Sequence, residues 1–258
     1  MTTTTSALRV ALVQEAAGLD PMANRARLAA LTPDGADLVV FPEAFARDFG
    51  EAGSDVSAFA QPLDGDFDRE LARVAAERGT TVVAGMFETG ADPARPFNTL
   101  LVRGAVSGHY RKVHLYDSFG YRESDRLTAG PIEPLVVDLD GWRVGLMTCY
   151  DLRFPEFARA LVDRGAEVLV VPAAWVAGPR KVDHWRTLVR ARAIENTVFV
   201  AAAAQPGPRY TGHSMVVDAL GDVLAEAGED AEVVTAVLER SALDEARRTN
   251  PSLANRRL

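Results

Sequence analysis

The sequence predicts an α/β chain arranged as a four-layer αββα sandwich of two internally similar halves. Two observations carry that expectation. Short β-branched apolar runs alternate with amphipathic stretches from one end of the chain to the other, which is the pattern of strands and helices in turn. The runs of the first half also recur, in the same order, in the second.

Residues 8–14 (LRVALVQ) predict a strand that ends in a polar segment. Residues 21–31 place Met22, Ala26, Leu28 and Leu31 at helical spacing. Residues 37–41 (DLVVF) predict a strand stopped by Pro42. Over 67–78, Leu71, Val74 and Ala75 share one face of a helix, and Gly79 is its stop. A strand follows at 80–85, then two strands at 98–103 and 109–113 around a turn at Ser107-Gly108. The second half repeats the order: a strand at 142–148, a helix at 155–164 closed by Gly165, and a strand at 167–171 closed by Pro172. A long basic amphipathic helix (182–194), a strand (197–204) and a hairpin of 214–218 with 222–225 complete it.

The halves match letter by letter in places. RVALVQ from Arg9 resembles RVGLMT from Arg143, LVVFPEAF from Leu38 resembles VLVVPAAW from Val168, and TTVVAG from Thr80 resembles TVFVAA from Thr197. An internal duplication accounts for three runs in one order. Each half would expose one apolar sheet face, and packing the two faces together buries both with helices outside. No Pro/Gly/Ser-rich linker divides the chain, so a single domain over 1–258 is expected, with a C-terminal tail from about 241.

Composition narrows the partners. The chain has 258 residues, and its formal charge of −8 disfavours nucleic acid. Its densest basic cluster, Arg247-Arg248 with Arg256-Arg257, reads as a solvated end. A single cysteine cannot form an internal disulfide. The N-terminus lacks the pattern of a signal peptide, and the longest apolar runs fall far short of the roughly 20 residues of a bilayer span. No membrane association and a cytoplasmic location are expected, with the threonine run at 2–5 a frayed end.

Three residues invite a chemical reading. Cys149 follows a strand directly, and Pro155 suits the first turn of the next helix. A sharp strand-to-helix turn lifts a side chain to the carboxyl edge of a sheet and aims the Tyr150 backbone N–H at the same spot. A free cysteine is also a common apolar filler, and alone Cys149 favours that reading. Glu43, in VVFPEAF, follows a strand end at the equivalent edge of the first half. Apolar neighbours would desolvate it and raise its pKa toward general acid/base use, while a surface glutamate remains the plain alternative. Lys112, in YRKVHLYD, shares a strand face with Tyr110 and His114. It is either a solvent-facing lysine or a fixed ammonium for an oxyanion.

Together, Glu43 after Val-Val-Phe-Pro, Lys112 before Val-His-Leu and Cys149 before Tyr-Asp-Leu-Arg-Phe-Pro-Glu resemble the motifs of the nitrilase superfamily, the carbon–nitrogen hydrolases. The resemblance spans almost the whole chain, from LRVALVQ to GHSMVVD, and itself implies the αββα sandwich. It implies a catalytic Glu43, Lys112 and Cys149, with the Tyr150 backbone N–H in the oxyanion site. YRESDRLTAG looks like the motif of the family's second glutamate, which places that role on Glu123; an acidic loop residue is the alternative. The segment between Lys112 and Glu123 is shorter than in omega-amidase members, which leaves the substrate open. Phe45, Phe119, Arg153 and Trp175 are candidates to line the substrate pocket. The aromatics could equally pack as core, and Arg153 could instead pair with Glu156 or Asp151. His184 and Trp185, in HW…RARAIEN, read as structural.

The resemblance implies a cofactor-independent, metal-free amidase that opens a small linear amide through a cysteine thioester. The amidase-like branch, similar to omega-amidase and deaminated glutathione amidase, fits CYDLRFPE best. An N-carbamoyl hydrolase, a nitrilase and a catalytically silent binding protein on the same fold are the alternatives. A homodimer or larger homo-oligomer is implied by the same resemblance.

Overall fold

The structure, a computed structural model, describes residues 6–257; the threonine run at 2–5 lies outside them. In chain order the elements are β1 (Ala7–Gln14), α1 (Pro21–Leu31), β2 (Leu38–Val40), α2 (Asp66–Arg78), β3 (Thr81–Glu88), β4 (Phe97–Arg103) and β5 (Gly108–Arg111). A two-stranded ribbon follows, β6 (Asp117–Ser118) with β7 (Tyr121–Arg122). The second half has β8 (Val136–Leu139), β9 (Trp142–Leu146), α3 (Pro155–Asp163), β10 (Val168–Ala173), α4 (Lys181–Asn196) and β11 (Phe199–Ala204). It closes with β12 (Met215–Val217), β13 (Val223–Glu226), β14 (Glu232–Glu239) and α5 (Arg240–Thr249).

Two six-stranded sheets form, in the orders β14-β1-β2-β3-β4-β5 and β8-β9-β10-β11-β12-β13. The two orders match strand for strand. In each, three central strands run parallel, with antiparallel strands on both sides. This is the duplication seen in the letters. Val10, Leu12, Leu38, Val40 and Val83 of the first sheet share one core with Leu146, Val168, Val170 and Ala202 of the second. The outer face of the first sheet is covered by α1 and α2, through Leu28, Phe67, Leu71 and Val74. On the second sheet, α3 packs against β9 and α4 against β11. Apolar residues line both faces of each parallel strand, as its burial between sheet and helices requires.

Helix ends follow their local chemistry. The Asp20 side chain accepts from the Met22 N–H, and Gly79 closes α2 in the left-handed conformation. β10 runs through Pro172 rather than stopping before it: its last β9 partner is Val170, so no ladder hydrogen bond is lost at the proline. The tail expected from about 241 begins as a helix. Leu243 and Ala246 of α5 are buried against the sandwich, and the Arg247 Nε donates to the Thr197 carbonyl, so this end is docked rather than solvated throughout. β14 has no counterpart among the sequence expectations. It pairs with all of β1, from Ala7↔Glu239 to Gln14↔Glu232, with Val233 and Val237 exposed.

Candidate active site

The carboxyl edges of β2, β5 and β9 meet at one end of the sandwich. Glu43 stands on the turn after β2, where the Phe41 N–H donates to the Val83 carbonyl (2.8 Å) and the Ala46 N–H to Gly85 (2.9 Å). β3 packs so close here that a Cβ on Gly85 would sit 2.4 Å from the Ala44 nitrogen and 3.1 Å from the Glu43 Cα. Lys112 directly follows β5, its N–H donating to Asn98 (2.8 Å) and its carbonyl accepting from Gly130 (2.8 Å). Cys149 opens a 3-10 turn, Cys149–Arg153, with φ of 47°, a left-handed conformation that a non-glycine residue holds only when its surroundings enforce it. The Tyr150 N–H is among the first amides of that turn, which lack partners within it. Glu123 opens another 3-10 turn, Glu123–Asp125, after β7.

These residues converge. The Lys112 Nζ donates to Glu43 Oε1 at 3.0 Å and to Glu123 Oε2 and Oε1 at 2.9 and 3.1 Å. Glu43 also accepts from Asn98 Nδ2 (2.7 Å) on Oε1 and from the Ala174 N–H (2.7 Å) on Oε2. Three donors thus occupy three of the roughly four lone-pair positions of a carboxylate. The Cys149 thiol lies close enough for the Glu43 charge to act on it. Glu123 Oε2 is fixed in turn by the Tyr116 N–H at 2.6 Å. All four side chains are buried.

The charges follow from this packing. Burial pushes the Cys149 thiol well above the usual thiol range, and Glu43 adds to the rise, so the group rests protonated. Burial alone would make Lys112 give up its proton; the carboxylates of Glu123 and Glu43 outweigh it and hold the ammonium charged well above the ordinary lysine range. Burial raises the Glu123 carboxyl, with Lys112 pulling it back.

A buried carboxylate braces the elbow. Asp151 accepts from the Thr148 N–H (2.9 Å) and the Tyr110 hydroxyl (2.7 Å) on Oδ2, and from the His114 N–H (3.0 Å) on Oδ1, which also contacts His114 Nδ1 (2.7 Å). Tyr110 and His114 stand two residues to either side of Lys112, so Asp151 ties the lysine segment to the cysteine turn. From behind, Arg192 Nε of α4 donates to the Leu152 carbonyl at 3.0 Å. Trp185, likewise on α4, is buried and donates to the His213 carbonyl at 2.7 Å, a structural place as expected.

Glu43, Lys112, Glu123, Cys149 and Tyr150 line a cavity of about 550 Å³. Of the pocket candidates, Phe119, Arg153 and Trp175 also line it. Phe119 is 66% exposed on the ribbon between β6 and β7. Trp175 is both wall and core, its ring 5.4 Å from that of Trp185. Phe45 is a correction: it is fully buried against Phe41, with ring centroids 4.7 Å apart, in the core beneath α1 and α2. The positive φ of Ala44 (55°) accompanies this turning of the chain back into the layer. Arg153 makes no ion pair with Glu156 or Asp151 among the described residues; it lies over the Trp175 ring at 4.7 Å. Asn98, Tyr116 and Lys181 complete the site without having been foreseen. Their only signal was position: Asn98 in a strand next to the one that carries Lys112, and Lys181 one residue ahead of an expected helix.

The carbon–nitrogen hydrolase family model matches residues 9–248. The deaminated glutathione amidase of Escherichia coli O157:H7 is 42% identical over 85% of this chain and 84% of its own. A hydrolase of Mycobacterium tuberculosis is 39% identical over 90% and 89%. Among solved structures, a CN-hydrolase superfamily protein of Xanthomonas campestris, with an arsenic adduct in its active site, superposes with a TM-score of 0.88 at 32% identity, covering 98% of both chains. The matching family, the matching sandwich and the coverage of nearly the whole chain agree: this protein belongs to the carbon–nitrogen hydrolases of the nitrilase superfamily.

Proposed function

We propose that the chain hydrolyses the C–N bond of a small linear amide to a carboxylic acid and ammonia, through a thioester on Cys149. One observation carries this reading. A single buried carboxylate, Glu43, holds the Lys112 ammonium at 3.0 Å and acts on the buried Cys149 thiol, raising its pKa, in a cavity that all three line.

The chemistry follows from that arrangement. A thiol pushed above its usual range does not ionise at rest, so Glu43 takes its proton as the sulfur attacks the amide carbon. The carbonyl π pair moves to oxygen, where the Lys112 ammonium and the Tyr150 N–H meet the charge; one such donor contributes on the order of 10²–10³ in rate. Glu43 returns the proton to the nitrogen, the C–N bond breaks and ammonia leaves. Glu43 then deprotonates a water that attacks the thioester, and the sulfur departs with the proton that Glu43 returns. Glu123 keeps Lys112 charged and aimed. The named E. coli relative supports an amide substrate, and the intact set of Glu43, Lys112 and Cys149 speaks against a silent binding protein. By the same resemblance we propose a homo-oligomer; Val223 and Leu224 on the edge strand β13 and Val233 and Val237 on the edge strand β14 are exposed apolar residues.

The test is an ammonia-release screen over omega-amides, N-carbamoyl amino acids and nitriles. Release from omega-amides, its loss in Cys149→Ala with an unchanged melting curve, and a hydroxamate when hydroxylamine is present are the expected results. Turnover by Cys149→Ala would refute the nucleophile. Activity confined to carbamoyl compounds or nitriles would replace the amide.

A further inference from the structure

Glu43 moves protons throughout the steps above, yet it stands on a different sheet from the thiol it serves. It follows β2 of the first sheet, and Cys149 follows β9 of the second. Their separation therefore depends on how one sheet sits on the other. The apolar contacts between the sheet faces do not fix that register finely, because the hydrophobic effect is non-directional. A directional bond beside the site does.

Gln205 supplies one. It directly follows β11, is 1% exposed, and reaches across to the first sheet. Its Nε2 donates to the Glu43 carbonyl at 3.0 Å, and its Oε1 accepts from the Ala17 N–H at 3.0 Å. One end meets a carbonyl and the other an N–H, so only one orientation of the amide satisfies both. The main chain of Gln205 acts on the same glutamate by a second route. Its N–H donates to the Ala173 carbonyl at 3.0 Å. That carbonyl belongs to the peptide unit whose N–H, on Ala174, donates to Glu43 Oε2 at 2.7 Å. One residue thus holds the backbone of Glu43 through its side chain and the carboxylate through one peptide. Five residues after Glu43, Asp48 accepts from the Tyr210 hydroxyl at 2.6 Å and lies 3.5 Å from the Gln205 Nε2. Behind the turn, β3 leaves no room for retreat, given the 2.4 Å approach at Gly85.

We propose that Gln205 is a positioning residue that sets where the Glu43 carboxylate stands relative to Cys149. This rests on the reading of Glu43 as the base for that thiol. Gln205 is not among the residues lining the cavity, so it acts on proton transfer rather than on substrate binding. A displacement of about 1 Å between reacting groups costs on the order of 10²-fold in rate.

The experiment compares Gln205→Met with Gln14→Met. Gln14 is the matched control, since it is also buried and also joins the two sheets. From the end of β1 it donates to the Gly228 and Asp230 carbonyls at 2.8 and 2.6 Å and accepts from the Ser214 N–H, ahead of β12, at 2.7 Å. None of these bonds involves Glu43. Methionine keeps most of the volume in both variants and removes the amide. Steady-state kinetics are measured well below both melting midpoints, on whichever of the amides, carbamoyl compounds or nitriles wild type turns over best; Glu43 serves the thiol with each. Gln205→Met should lose about 10- to 100-fold in kcat, with KM within about twofold. The acid limb of its kcat/KM profile should move to higher pH, because a slackened turn loosens the donors that favour the ionised carboxylate. Gln205→Asn, which keeps an amide but falls one methylene short of Glu43, should reproduce the loss. Gln14→Met should keep kcat within about twofold of wild type, with a Tm lowered at least as far as that of Gln205→Met. An unchanged kcat and pH profile in Gln205→Met, or an equal fall in kcat in both methionine variants, overturns the positioning role and leaves the hydrolase reading standing. Turnover by Cys149→Ala overturns the thioester reading, and the positioning role with it.

Discussion

Replacing Lys112 with methionine removes the one cation between two buried carboxylates. Methionine keeps most of the volume, so packing changes little. What changes is electrostatic. Glu43 and Glu123 are each within 3.1 Å of the lost ammonium, with side chains 1% and 3% exposed, and no other cation bonds either carboxylate among the described residues. Two uncompensated charges at that depth do not persist; one carboxylate takes a proton on folding. From an unfolded pKa of about 4.3, that uptake costs about 1.36 × (7 − 4.3), or roughly 3.7 kcal/mol at pH 7, about 2.3 at pH 6 and about 1 at pH 5. The sign follows from linkage. A carboxyl whose folded pKa is raised binds its proton in the native state, so stability is lost as pH rises above the unfolded value. The wild-type Lys112, held charged above the ordinary lysine range, loses its share only in strong alkali, above that range. The variant should therefore fall further below wild type with each pH unit between 5 and 7, approaching about 1.4 kcal/mol per unit. Urea denaturation of both proteins at three pH values measures it. A deficit independent of pH would refute the picture of a single lysine compensating two carboxylates.

The remaining predictions concern the frame. Gly85→Ala drives a Cβ to 2.4 Å from the Ala44 nitrogen, so the Glu43 turn must move; about 1–3 kcal/mol of stability and most ammonia release should go together, and retained activity would show that the turn tolerates displacement. Asp151→Asn leaves an amide facing donors that the carboxylate satisfied, so about 2–4 kcal/mol of stability should be lost in thermal or urea melts, with kcat falling more than KM rises; an unchanged kcat would separate the brace from the chemistry.

Much of the frame was legible in the residues. Local periodicity reports burial on one side of an element, and that sufficed for most strands and helices. It failed for β14, whose Val-Val-Thr-Ala-Val run makes sense only beside β1, more than 200 positions away. It failed again for α5, where a charge-rich segment hides the docking of Leu243 and Ala246. The duplication was visible because matching sheets need matching apolar runs. It does not extend to the rings: Phe45 occupies the place of Trp175 in the repeat, yet one ring turns into the helix-covered core and the other into the cavity.

The sequence by itself determined the order of the layers, the two related halves and the polar residues placed at strand ends, because these depend on spacing along the chain. Tertiary structure decided which of those ends meet. Lys112 bonds Glu43 across 69 positions, and Glu43 bonds the Ala174 amide across 131. The order of strands within the first sheet brings Lys112 beside Glu43, and the face-to-face packing of the two sheets brings Ala174 and Cys149 to the same carboxylate; that burial sets the protonation of the thiol and the ammonium.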